Sequence, residues 1–205
     1  MWVLWTVVTI VAGYLLGNLN GAIISSKLLG DDVRSHGSGN AGLTNFIRSY
    51  GANHALLVIL IDAGKGVLAC LLGGLLLQFK FGFSAGAAIG GAAVILGHML
   101  PVFFGFRGGK GILTGLFIAV VVDFRVALLI LAVFAIFYFP TKFVSLSSVM
   151  ASVAFAVGFA IFHFHNPITM GCGIFMGAMA VFMHRSNIVR LLKGQETKTN
   201  LFKKV

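Results

Sequence analysis

The chain has 205 residues, 59% of them hydrophobic and only 10% charged, with a formal net charge of +10. Soluble domains are about 45–50% apolar and about 25% charged, so this composition excludes one and points to a single membrane-embedded domain over 1–205. The basic residues are spread among short connections between apolar stretches, which excludes a nucleic-acid-binding surface; Cys70 and Cys172 lie in apolar segments and form no disulfide framework.

A first span is predicted from Trp2 to about Leu29, with Trp2 and Trp5 as interfacial anchors. Gly13, Gly17 and Gly21 lay a small-residue stripe along it that suits close helix packing. Asn18 and Asn20 are expected to bond to neighbouring helices. A polar segment runs from Gly30 to about His54, with a short interfacial helix over Leu43–Tyr50. The second span, about Ala55 to Gln78, carries Asp62 and Lys65 on one face, where a structural ion pair inside the bundle is the expectation. The third, about Ala85 to Phe104, is rich in Gly and Ala.

From Ile112 to Tyr138 the length fits one tilted span or two short ones. A single helix would place Asp123 and Arg125 near the bilayer centre at about 2.5–3.5 kcal/mol each, so two short helices turning at Asp123 are predicted. Phe143–Phe162 and Ile168–Met183 complete seven spans, and a polar tail starts at His184. With the N-terminus outside, the inner connections hold Arg34, Arg48, Arg107, Lys110, Lys142, Arg185, Arg190, Lys193, Lys198, Lys203 and Lys204, and the outer ones only Lys80 and Arg125. That asymmetry predicts a cytoplasmic C-terminus. The fold expected is therefore an all-α integral membrane protein with seven transmembrane helices.

Three polar stretches then share the cytoplasmic face. In Ser35-His36-Gly37-Ser38-Gly39-Asn40-Ala41-Gly42-Leu43-Thr44-Asn45-Phe46-Ile47-Arg48, glycines leave amides uncovered to form an anion-holding nest, and Arg48 adds a cation. The alternative is an ordinary polar turn between helices. The second stretch runs from Gly97-His98 through Pro101 to Arg107-Gly108-Gly109-Lys110-Gly111, where two cations bracket a Gly-Gly pair at a helix start. A positive-inside anchor would explain those charges but not the glycines. In the third, His184, Asn187 and Arg190 share one face if the seventh helix continues. Five acidic residues in the whole chain cannot hold a pair of divalent metals, and no Gly-x-Ser-x-Gly elbow occurs. No metal and no cofactor are expected.

Together, Ser38-Gly39-Asn40-x-Gly42-x-Thr44-Asn45-x-x-Arg48, Gly97-His98-x-x-Pro101 with Gly108-Gly109-Lys110-Gly111, and His184-x-x-Asn187-x-x-Arg190-Leu191 with Gly194 and Glu196 resemble the three motifs of the bacterial acyl-phosphate:glycerol-3-phosphate acyltransferases of PlsY type. Leu43 stands where that family usually has Ala, and Arg107 where Lys is common. The resemblance implies a seven-helix enzyme of the bacterial inner membrane. Its partners would be acyl phosphate, glycerol 3-phosphate and the lipid bilayer, with no obligate protein partner. The catalytic candidates are Ser35, His36, Lys110, His184 and Asn187. The substrate-binding candidates are Gly37, Ser38, Gly39, Asn40, Thr44, Asn45, Arg48, His98, Arg107, Gly108, Gly109, Gly111, Ser147, Ser148 and Arg190. The attacking hydroxyl would lose its proton to His184, to His36 or to a substrate phosphate. A rival reading from another class is a small-anion or phosphate-ester transporter, and a third is an acyltransferase using acyl-CoA.

Overall fold

A computed structural model describes residues 1–199; Lys203 and Lys204, counted above for the orientation, lie outside the described residues. Ten helices follow in order: α1 Trp2–Gly17, α2 Gly21–Leu28, α3 Leu43–Tyr50, α4 Ala55–Phe81, α5 Phe83–Met99, α6 Ile112–Val122, α7 Phe124–Thr141, α8 Val144–Phe162, α9 Pro167–Met183 and α10 Arg185–Leu192. No strand occurs among the described residues. Five segments are long and apolar enough to cross a membrane, and a sixth if α9 and α10, bent by 53°, are taken together. The predicted turn at Asp123 is present: its carboxylate accepts the Arg125 N–H at 2.9 Å and starts α7.

The first span differs from expectation because it breaks between α1 and α2. Asn18 donates from Nδ2 back to the Tyr14 carbonyl (2.8 Å), and the Asn20 side chain caps α2 by accepting the Ile23 N–H (3.0 Å). An asparagine whose amide satisfies local backbone groups competes with continued helix. The buried pair Asp62 and Lys65 (Nζ to Oδ1 2.8 Å) closes the break from α4. Lys65 donates to the Leu19 carbonyl (2.9 Å), with that of Gly17 farther off at 3.3 Å, while Asp62 accepts the Gly21 N–H (3.0 Å). The cation thus sits at a helix C-terminus and the anion at a helix N-terminus, as the helix dipoles favour.

Helices α1, α4 and α5 form one tightly packed half and α7, α8 and α9 the other; α5 meets α9 directly, and α6 bridges α4 to α7. The first half depends on backbones in contact. A Cβ on Gly17 would lie 2.3 Å from the Val94 carbonyl oxygen, and one on Gly97 2.0 Å from that of Tyr14. The second half packs larger side chains, with Val126, Phe155, Phe159 and Met176 in its core.

Candidate functional site

At one end of the bundle the three motif stretches converge around a cavity of about 340 Å³. Its polar wall includes Ser38, Asn40, Thr44, Arg48, His98, Lys110, Ser145, Ser148, His184 and Asn187. Its apolar wall includes Ile112, Leu113, Leu116, Ile130, Leu131 and Phe134 from α6 and α7. A smaller apolar cavity of about 40 Å³ adjoins it, sharing Gly111, Ile112, Leu116, Ile130 and Ala151.

The first loop is organised by Asn45. Its Oδ1 accepts the Ser38 N–H (2.9 Å), and its Nδ2 donates to the carbonyls of Val33 and His36 (3.0 Å each). Gly37 and Gly39 adopt positive φ (+55° and +68°), and a Cβ on Gly37 would lie 2.3 Å from Asn45 Oδ1. Two amides expected in the nest are engaged internally, Ser38 with Asn45 and Gly39 with the His36 carbonyl (2.9 Å). Leu43 and Thr44, in the first turn of α3, line the cavity instead, and a helix start leaves its first N–H groups without partners inside the helix. Ser35 and His36 lie on the exposed edge of the loop, outside the cavity wall. Ser35 Oγ donates to the Asp32 carbonyl (2.7 Å), and His36 Nε2 is 2.7 Å from Asp31 Oδ2.

In the second loop, Gly108 and Gly109 pack rather than line the cavity. A Cβ on Gly108 would sit 2.0 Å from the His98 carbonyl oxygen, and one on Gly109 2.2 Å from His98 Nε2 and 2.6 Å from the Ala41 carbonyl oxygen. The Gly109 N–H is donated to the His98 carbonyl (3.1 Å). Arg107 points away, exposed. This close seating carries Lys110 into the cavity, where its ammonium bonds to Asn187 Oδ1. Burial, reinforced by the neighbouring Arg190 guanidinium, brings that ammonium down to about 8. The two loops are tied to each other and to the break in the first span. Arg34 donates to the Phe104 carbonyl (2.9 Å), Asn20 to that of Ala41 (3.1 Å), and Asn18 accepts the Phe103 N–H (3.2 Å).

The third stretch bends at His184, yet His184 and Asn187 remain together on the cavity wall. His184 Nδ1 donates to the Ala180 carbonyl (2.8 Å), which leaves Nε2 as an acceptor. Burial holds this imidazole down at about 4, so it is neutral at neutral pH. Arg190 is turned to Glu196 (2.9 Å), which also accepts from Asn187 Nδ2 (3.0 Å). Beyond Gly194 the tail crosses the cavity mouth and is fastened at Thr199, which bonds to Arg48 (2.8 Å) and through its carbonyl to Tyr138 (3.0 Å). Neither Thr199 nor Ser145 was singled out in the sequence. Among the described residues Ser145 Oγ has no hydrogen-bond partner and is buried beside the cavity, whereas Ser147 faces away and donates to the Phe143 carbonyl (2.9 Å). The i, i+3 spacing of Ser145 and Ser148 was the available signal.

The family model for glycerol-3-phosphate acyltransferase matches residues 7–194. The chain belongs to this family, of PlsY type. Among its relatives, the glycerol-3-phosphate acyltransferase of Thermoanaerobacter sp. (strain X514) is 41% identical over 196 residues, covering 95% of this chain and 96% of the relative. That of Neisseria meningitidis serogroup C (strain 053442) is 38% identical over 197 residues, covering 95% and 98%. The crystal structure of PlsY (YgiH), an integral membrane glycerol 3-phosphate acyltransferase, is similar throughout. Its glycerol 3-phosphate form has a TM-score of 0.86 at 34% identity, over 97% of this chain and 99% of the other. Its lysophosphatidic acid form gives 0.82 at 34%, over 95% of each. The solved PlsY thus shares this fold over nearly its whole length, and the cavity of this chain is built from all three of its polar stretches.

Proposed function

We propose that the chain moves a fatty acyl group from an acyl phosphate to the 1-hydroxyl of glycerol 3-phosphate, at the cytoplasmic face of a bacterial inner membrane. The products are lysophosphatidic acid and inorganic phosphate. The observation that carries this reading is one cavity with Lys110, Arg48 and the first turn of α3 among its polar lining and mostly aliphatic side chains from α6 and α7 in the rest. A reactant pair with phosphate heads and one fatty chain matches both halves.

In the reaction, the glycerol hydroxyl oxygen bonds to the acyl carbonyl carbon and the carbon–oxygen bond to phosphate breaks. Lys110 and Arg48 hold phosphoryl oxygens, Asn187 and Ser148 orient glycerol 3-phosphate, and Ser38, Asn40 and the α3 amides face the developing oxyanion. His184 Nε2 accepts the hydrogen bond of the attacking hydroxyl and so aligns it. An imidazole held at about 4 is a weak base, so the proton goes to the departing phosphate, which gains a negative charge as the bond breaks. A mixed anhydride is already activated, and the step needs no covalent enzyme intermediate.

The test is purified protein in detergent with palmitoyl phosphate and radiolabelled glycerol 3-phosphate. Lysophosphatidate should form without vesicles and be unaffected by a chelator. Equal product from palmitoyl-CoA would overturn the choice of donor. Folded protein giving no product from either donor would overturn acyl transfer and leave the transport reading.

A further inference from the structure

The Asp62–Lys65 pair does more than close the break between α1 and α2. Lys65 Nζ also lies 2.8 Å from Nδ1 of His98, a residue 3% exposed whose ring lines the cavity. An ammonium has only protons to give, so Nδ1 is the acceptor and the ring proton of neutral His98 is on Nε2. Asp62 is too far from Nδ1, at 3.6 Å, to compete for that bond. Nε2 faces the seam between the first two loops, against Gly109 and the Ala41 carbonyl, one residue from Lys110. It makes no hydrogen bond among the described residues. Nε2 is not among the sealed polar atoms, so its N–H keeps some access from the cavity and is free to donate to a ligand oxygen.

We propose that Asp62 and Lys65 are positioning residues: they fix His98 in its Nε2–H form, and that N–H donates to a phosphoryl oxygen of a bound substrate. The phosphate belongs either to glycerol 3-phosphate or to the acyl phosphate. This rests on the reading of the cavity as a phosphate site and assigns the buried pair a part in substrate recognition, separate from its packing.

The experiment uses the full chain in nanodiscs with 15N-labelled histidine, the His98 signals being assigned by their loss in His98→Gln. In the wild type, Nε2 should be protonated and Nδ1 bare, and inorganic phosphate or glycerol 3-phosphate should shift the Nε2 signal. The double variant Asp62→Asn/Lys65→Met removes both buried charges together. If its helical content is retained, His98 should become a mixture of tautomers. Its kcat/KM should fall at least tenfold, with the KM rise confined to the substrate whose phosphate His98 holds. Lys65→Arg, which keeps a cationic donor, should keep the Nε2–H form. A wild-type proton on Nδ1, an Nε2 signal that neither ligand moves, or unchanged kinetics in the folded double variant would each overturn the proposal. A shift with phosphate in a protein that makes no lysophosphatidate would overturn acyl transfer alone and leave this inference standing.

Discussion

Lys110 illustrates how few side chains set the chemistry of the cavity. Its ammonium is buried beside Arg190 and within reach of the fields of Glu196 and Arg48, and is held down at about 8. It is therefore charged below about pH 8 and loses that charge above it. Glycerol 3-phosphate has completed its own second ionisation by then. The KM for glycerol 3-phosphate should rise between pH 7 and pH 9, by up to about tenfold for each unit above 8. Lys110→Met should have a raised KM that stays flat over the same interval. A steady-state pH series on both proteins checks this, and a wild-type KM flat to pH 9 would contradict it. The residue types were readable from the sequence, but their directions were not. Nothing in the chain order says that Asp31 holds His36 or that Asn45 occupies the Ser38 amide; those depend on how the loop closes.

At the level of elements, α1 and α5 touch through Gly17 and Gly97, and that contact seats the second loop, since α5 ends at Met99 just before it. Gly97→Ala must push the Tyr14 carbonyl away and should lower stability by about 1–3 kcal/mol. Gly171→Ala on α9 has nothing within 4 Å of the new methyl; there the gain in helix propensity, up to about 1 kcal/mol, should leave stability equal or higher. Thermal unfolding in detergent followed by circular dichroism separates the two, and equal midpoints would deny the close approach its importance. The glycine stripe and the Asp123 turn were legible because each follows from local spacing. The break at Asn18 was not, because its stabilising partners Asp62 and Lys65 arrive from another helix more than 40 positions away.

Taken as a whole, the molecule places an eleven-residue helix at its centre. At 1.5 Å per residue α6 extends about 16 Å, roughly half of a hydrocarbon layer about 30 Å thick. In the seven-span topology we propose, the loop before α6 is drawn below the interface, and Lys110 with it. Single cysteines replacing Lys80 and Lys193, in a chain without Cys70 and Cys172, test that topology. An impermeant maleimide applied to intact cells should label the first position and reach the second only after lysis. Labelling of both from outside would refute the orientation. The aliphatic wall of the cavity bears on how a turnover ends. Leu131 on α7 lines that wall and is 49% exposed. In the proposed reaction, lysophosphatidic acid would leave along this apolar wall toward the leaflet while phosphate departs to water, so the two products would leave by different doors. Release of the newly made lipid should then slow as the surrounding membrane stiffens.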